Sequence, residues 1–290
     1  MSALATGAIA YLANFVVVFG LYPYRDYVKG FDVTRRSVNN LPQFCMNRYR
    51  GMLNNLSQPL LLAAPQGFLY FGYVLGFGGF TGAILGGIFA GYTKVFVGTV
   101  ARRMSVGSRY NRMDCLSYSS VLDCIISSYR HYGALSFFMG GLATSLIAVL
   151  WHGVSLAVLN QTYSKGILES TWDAFRIHAL MTFLSNPIRN MFRSSLVQCE
   201  RSGGVRSIRG YATGEVAIFK EAGAVFLTMW RTEGVPFFLH GVLRTTFKTS
   251  VPFAIAYGLF RSMGGSIGLP NHGSSSGSGH IGGRRFLRRY

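Results

Sequence analysis

The chain of 290 residues has few charged residues, and among these the acidic ones are far fewer than the basic ones. Charged residues make up 13% of it and hydrophobic residues 50%, whereas a soluble domain is about 25% charged. So little charge cannot cover a water-exposed surface, which predicts a membrane protein. Ten acidic residues stand against 28 lysines and arginines, for a net charge of +18.

This basic balance restricts the possible partners. Proteins that bind nucleic acid are rarely this apolar, so no nucleic-acid partner is expected. Anionic lipids, anionic solutes and an acidic protein partner remain. The balance is also explained if a membrane protein simply keeps lysine and arginine at its water-facing ends.

Cysteines are also few, and none forms a metal-binding or redox pair. The four are Cys45, Cys115, Cys124 and Cys199, with no C-x-x-C spacing and no histidine cluster beside them. This argues against structural zinc and a disulfide framework. The sequence also offers no paired carboxylates, nucleophile–base pair or phosphate loop, so we expect no enzyme, metal or organic cofactor. Because no early basic residue and no small-residue cleavage pattern precede it, the first apolar segment is expected to stay in the protein.

Six apolar segments approach the roughly 20 residues that a membrane span requires. They predict an all-α membrane protein with six transmembrane helices, at residues 3–22, 56–77, 80–100, 142–159, 172–192 and 241–263. Short helices are predicted in the polar connections, at residues 119–130 and 215–230. The Gly/Ser-rich basic tail after the last segment is expected to be disordered.

Two segments carry residues that suggest specific contacts. Closely spaced glycines in the third segment let a neighbouring helix approach: Gly82, Gly86, Gly87 and Gly91. The fifth segment contains Asp173, Arg176 and His178, and ionisable residues inside a span are functional candidates. Arg176 lies near the start of its span, so its side chain can extend to the interface, or pair with Asp173 three residues earlier.

Glycines recur in phase along the chain and divide it into three units. Gly51, Gly140 and Gly241 each open a second apolar segment, and Gly133 and Gly234 precede the last two by seven residues. The units are residues 1–78, 79–166 and 167–263, followed by the tail 264–290. Each unit consists of an apolar segment, a polar connection and a second apolar segment.

This pattern resembles the mitochondrial carrier family over residues 1–263. The matching motifs are Tyr49-Arg50-Gly51, Tyr132-Gly133 with Gly140, Thr232-Glu233-Gly234 with Gly241, and the helix-ending prolines Pro23 and Pro187. The resemblance implies a threefold pseudosymmetric six-helix bundle in the mitochondrial inner membrane. Both termini would face the intermembrane space and the short helices the matrix. The connection in the first unit is much shorter than in the third, so its short helix is expected to be short or absent.

The gates that the resemblance implies are degenerate in this chain. Family members end each odd helix with a proline, an acid and a base, and the three acid–base pairs close the matrix side. The corresponding positions here hold Arg25, Val100 and Arg189 for the acids, and Val28, Arg103 and Phe192 for the bases. Arginines without acids in register repel each other rather than pair. The ends of the even helices, at residues 70–74, 159–163 and 260–263, also contain no acid.

The resemblance also assigns substrate and lipid positions. The substrate-contact positions are Gln58, Ile147, Ala148 and Lys248, and Arg244 lies one turn before Lys248. These two bases suit either an anion in the cavity or a lipid phosphate or partner carboxylate. The positive ends of the even helices favour phosphate. They imply bound cardiolipin at Arg50, Gly51, Gly140, Gly141 and Gly241.

Two functions follow as hypotheses. The first is a carrier-fold accessory subunit of a large mitochondrial inner-membrane complex, such as a respiratory complex or ATP synthase, that does not transport. Its partners would be cardiolipin and other membrane subunits. The missing acids, the shortened first unit and the basic aromatic tail motivate it. The alternative is a mitochondrial carrier that exchanges an anionic metabolite, for which Arg244, Lys248 and the net charge speak.

Overall fold

A computed structural model gives the architecture of the chain. It describes residues 2–21, 57–109, 118, 120–162, 166–199, 207–234, 236–239 and 241–267, and all regular secondary structure within these ranges is helical. Three helical segments are long and apolar enough to cross a membrane: Ala3–Gly20, Gly79–Ala101 and Ala134–Gln161. A shorter apolar helix covers Pro59–Leu75. The composition-based prediction of an all-helical membrane protein is therefore confirmed at this level.

The first two predicted segments form α1 (Ala3–Gly20) and α2 (Ser57–Leu75). α1 begins where the Ser2 hydroxyl accepts a hydrogen bond from the backbone N–H of Ala5, at 3.3 Å. α2 ends in a tight turn in which Phe77, Gly78 and Gly79 all have positive φ. The short helix of the first unit, Arg25, Val28, Arg50 and Gly51 lie outside the described residues.

The second unit contains α3 (Gly79–Arg109) and the amphipathic helix α4 (Val121–Tyr132). A short 3₁₀ turn (Ala134–Phe137) leads to α5 (Gly141–Ala148), a π-helical segment (Val149–Gly153) and α6 (Val154–Gln161). These last three follow one another without a turn. Gly140 precedes α5 with φ of 82° and Gly241 precedes α10 with φ of 65°, which explains why glycine stands at both predicted helix starts.

The third unit contains α7 (Ile167–Cys199), α8 (Ile208–Thr232), the single turn α9 (Pro236–Leu239) and α10 (Val242–Ser262). Pro187 was expected to end a helix, and this was wrong, because α7 continues past it. Neighbouring helices can satisfy the backbone carbonyl that a proline leaves unpaired in a membrane bundle. α8 also starts earlier than predicted, at Ile208, and is capped by Ser207, whose hydroxyl accepts a hydrogen bond from the N–H of Gly210 at 3.0 Å.

The long helices pack as a closed ring. α1 packs on α2, α2 on α3, and α3 on α5 and the π-helical segment; α6 packs on α7, α7 on α10, and α10 returns to α1. α4 lies against α3, and α8 lies against α7 and α5. The predicted boundaries between units, after residues 78 and 166, fall in the connections between helices.

The glycines of α3 face two different neighbours. A Cβ atom on Gly82 or Gly86 would lie 2.5 Å from a carbonyl oxygen of α2, of Tyr73 and Leu69 respectively. A Cβ atom on Gly87 would lie 2.5 Å from the Cα of Val149, and one on Gly91 2.6 Å from the backbone nitrogen of Ser145. The predicted close approach is confirmed, and the pairing of adjacent glycines places one helix on each side of α3.

Cys124 is buried between α4 and α3. Its side chain is fully buried, with the Sγ atom 3.9 Å from the carbonyl oxygen of Val100 and 4.0 Å from the Ser128 hydroxyl. Burial raises the pKa of this thiol, so little thiolate is present at neutral pH.

We therefore expect Cys124 to resist alkylation in the folded protein. In a variant with serine at the other three cysteines, its reaction with N-ethylmaleimide should be roughly tenfold or more slower than that of an exposed thiol. The control carries Leu122→Cys and Cys124→Ser, because Leu122 lies on the same helix and is 66% exposed. Equal rates in the two proteins would show that α4 does not pack as described.

Candidate functional site

The candidate functional site is the interior of the helical ring, which the implied gate and substrate positions were expected to line. The gate positions of the second unit lie among side chains of that unit, with Leu61 of α2 packed against the same cluster. Val100 is buried with Cys124 and Phe137. The Arg103 guanidinium lies 4.7 Å from the ring centroid of Tyr132 and donates to the Ser136 hydroxyl at 3.2 Å. Apolar packing thus surrounds Val100, whereas Arg103 lies against an aromatic ring and bonds to a hydroxyl.

The gate positions of the third unit pack against different neighbours. Arg189 Nη1 donates to the Thr245 hydroxyl of α10 at 2.6 Å. Phe192 is buried and meets the ring of Phe219 edge-on, with 5.0 Å between centroids. The structure therefore joins α7 to α10 and α8 at this level through a hydrogen bond and aromatic packing.

The ends of the even helices meet in one apolar cluster. Tyr70 of α2, Leu159 of α6 and Phe260 of α10 are buried in it together. The rings of Tyr70 and Phe260 are 4.6 Å apart. Every long helix of the ring contributes to this cluster, so apolar side chains fill the interior where the implied gate would carry charges.

The implied substrate positions whose side chains are described lie in different surroundings. Ile147 is buried beside Trp151 and Phe192, whereas Ala148 belongs to the apolar cluster of the even-helix ends. Arg244 is exposed and Lys248 half-buried on α10. The side chain of Gln58 lies outside the described part. Asp173 and Arg176 form an ion pair near the start of α7, with the Arg176 side chain 61% exposed, so the predicted pairing is confirmed, and the extension of Arg176 to the membrane interface stays a prediction.

A chain of polar side chains crosses the interior from α10 to the π-helical segment. His178 of α7 is fully buried, and its Nδ1 lies 2.9 Å from the Ser250 hydroxyl. Its Nε2 lies 2.8 Å from Nδ1 of His152. The Thr182 hydroxyl is 3.3 Å from the same Nδ1 of His178. Because each imidazole nitrogen either donates or accepts, the tautomer of one histidine sets that of the other.

Sequence reasoning noted His178 but missed His152 and Lys94. Lys94 Nζ lies 5.5 Å from the centroid of the Trp151 ring, and the Arg189 guanidinium 5.8 Å from the same ring. A single ionisable or imidazole side chain in an apolar segment was the available signal for both residues. No feature of the sequence indicated the π-helical segment, which places Trp151 and His152 in the interior.

The N-terminus of α5 is occupied by a carboxylate from α8. Glu215 Oε1 accepts hydrogen bonds from the backbone N–H groups of Gly140, at 2.8 Å, and Gly141, at 3.0 Å. These are the N–H groups that the sequence assigned to lipid phosphate. Gly241 starts α10 without a side-chain cap. Within the described ranges, no group of three metal-ligating side chains comes together.

Compared with known proteins, the chain matches no protein-family model and no curated protein at a significant level.

Proposed function

We propose that this chain is a six-span protein of the mitochondrial carrier fold and that it does not transport a solute. It serves instead as an accessory subunit of a large mitochondrial inner-membrane complex, such as a respiratory complex or ATP synthase. The closed order of the helices around the ring and their division into three units support the fold. In this proposal α2, α7 and α10 are also spans. Their prolines and polar residues keep them below the hydropathy of the other three.

The observation that carries the proposal is the apolar cluster that joins Tyr70, Leu159 and Phe260. A transporter must open each end of its ring in turn. Separating this cluster would expose several large apolar side chains to water, and each Å² of exposed apolar surface costs about 25 cal/mol of free energy. No acid–base pair stands at these positions for a substrate to disrupt, so opening would lack the trigger that such pairs provide.

Native electrophoresis after mild solubilisation tests the proposal. The chain should migrate with an assembly far larger than its own mass of 31.9 kDa. In liposomes it should exchange none of a panel of nucleotides, carboxylates and phosphate. Migration only as a free chain, or saturable exchange of any solute in the panel, would contradict the proposal.

The alternative function, exchange of an anionic metabolite, is favoured by one observation. Lys94 of α3, which is exposed, and Arg189 of α7, which is half-buried, both lie within 6 Å of the Trp151 ring, so two cationic side chains converge on one aromatic ring. If the alternative holds, Lys94→Gln and Arg189→Gln should each abolish exchange. Arg176→Gln, at the exposed start of α7, should leave it unchanged.

A further inference from the structure

Glu215 is a buried carboxylate on a helix that lies outside the ring. It is 3% exposed, and its Oε2 atom accepts no hydrogen bond from any described residue. Its Oε1 accepts two hydrogen bonds from the first N–H groups of α5. A buried carboxylate needs such donors, and the positive end of a helix dipole supplies them.

The neighbouring contacts show that α8 is built around this position. Gly214 lies against the Met139 side chain, where a Cβ atom would be 2.6 Å from the methyl carbon. The Tyr211 hydroxyl donates to the carbonyl of Phe138 at 3.3 Å. Burial, and then the hydrogen bond with Tyr92 and the charge of Glu215, raise the pKa of Tyr211, so its hydroxyl remains a donor. Ile218 continues the buried face one turn later.

The location of the site determines which external anion competes for it. Gly140 and Gly141 lie near the start of the candidate span Ala134–Gln161, which places them towards a membrane surface. Lipid phosphates lie at that level, and free N–H groups at a helix start bind phosphate well. An anion is therefore expected here, and the chain supplies its own.

We propose that Glu215 is a built-in anion that closes the anion-binding N-terminus of α5 to lipid phosphate and fastens α8 to the ring without any external ligand. This inference does not depend on the proposed function. It predicts that anionic lipid does not change the packing of α8 in the wild type. In a variant that lacks the Glu215 carboxylate, anionic lipid should strengthen this packing.

The variant experiment uses the full chain in nanodiscs. Glu215→Gln should unfold roughly 2–6 °C lower than the wild type in phosphatidylcholine. Cardiolipin should restore most of this loss, because its charged phosphate displaces the neutral amide side chain from the N–H groups of Gly140 and Gly141, and native mass spectrometry should show one additional bound cardiolipin. Inorganic phosphate is tested separately in phosphatidylcholine, and restoration by it alone would identify free phosphate rather than lipid as the fitting anion. The matched control is Glu221→Gln on the same helix, which should behave as the wild type in both lipids.

Three outcomes of the variant experiment would overturn the proposal. They are an unchanged unfolding temperature for Glu215→Gln in phosphatidylcholine, equal restoration by an uncharged lipid added in place of cardiolipin, and no restoration by either anion. If the variant does not fold, hydrogen exchange of the wild type decides. Exchange at residues 207–218 and at Gly140–Gly141 should differ by less than about twofold between the two lipids. Faster exchange of residues 207–218 in cardiolipin would mean that phosphate displaces Glu215, which contradicts the proposal.

Discussion

Gly91→Ala is expected to destabilise the protein by about 1–3 kcal/mol, as overpacking does in a well-packed core. The added Cβ atom would lie 2.6 Å from the backbone nitrogen of Ser145 and would also contact its Cα and Oγ atoms. Two of these atoms are backbone, so no side-chain rotation relieves the clash. α3 and α5 must move apart, which also weakens the contact of Gly87 with Val149. Thermal unfolding in detergent measures the loss.

The matched control for Gly91→Ala is Gly223→Ala. Gly223 lies inside α8, and a Cβ atom there meets nothing within 4 Å. Alanine should stabilise α8 at this position by roughly 0.5–1 kcal/mol, because glycine is the poorer helix former. The two substitutions should therefore have opposite signs. A stabilising Gly91→Ala would mean that α3 and α5 are farther apart than in this structure.

The sequence predicted best what depends on local composition. The positions of the long helices followed from apolar length, and the glycine-capped starts at Gly140 and Gly241 followed from the three-unit pattern. The close approach at Gly91 was predictable because glycine spacing in an apolar segment has few other uses.

Features that depend on residues far apart in the chain could not be predicted. Glu215 and Gly140 are 75 positions apart, and nothing near Glu215 in the sequence indicates that its carboxylate reaches the start of α5. The start of α8 at Ile208 was missed for a related reason. The segment before Glu215 contains glycines and looks like a loop, but its half-buried residues Tyr211 and Gly214 pack against Phe138 and Met139, and this packing stabilises the helix.

The interior of the ring illustrates the same limit at the candidate site. The sequence correctly indicated that acids are missing at the even-helix ends. Composition alone does not distinguish an empty cavity from a filled one, because that depends on side chains of three separate units meeting. Only the structure shows that these side chains meet, in the cluster of Tyr70, Leu159 and Phe260.

His178→Ala is expected to have the largest effect on stability, a loss of about 3–5 kcal/mol, similar to the removal of a buried aromatic ring. The His178 ring stacks on Phe253 with 4.2 Å between centroids, so its removal leaves a cavity beside that side chain. It also takes away the hydrogen-bond partner of the Ser250 hydroxyl and of Nδ1 of His152. Each buried polar group left without a partner costs roughly 1–3 kcal/mol. Thermal unfolding measures the loss, and His131→Ala on the exposed side of α4 serves as the control.

Packing and hydrogen bonding at His178 can be separated with phenylalanine. His178→Phe keeps a ring against Phe253 but removes the hydrogen bonds of the imidazole, so it should cost less than alanine and more than the His131 control. Adding His152→Phe removes the other end of the histidine pair. The double variant should then lose less stability than the two single losses combined, because a buried pair removed together leaves no orphaned partner. Additive losses would show that the two imidazoles do not share a hydrogen bond, and the polar chain across the ring would end at His178.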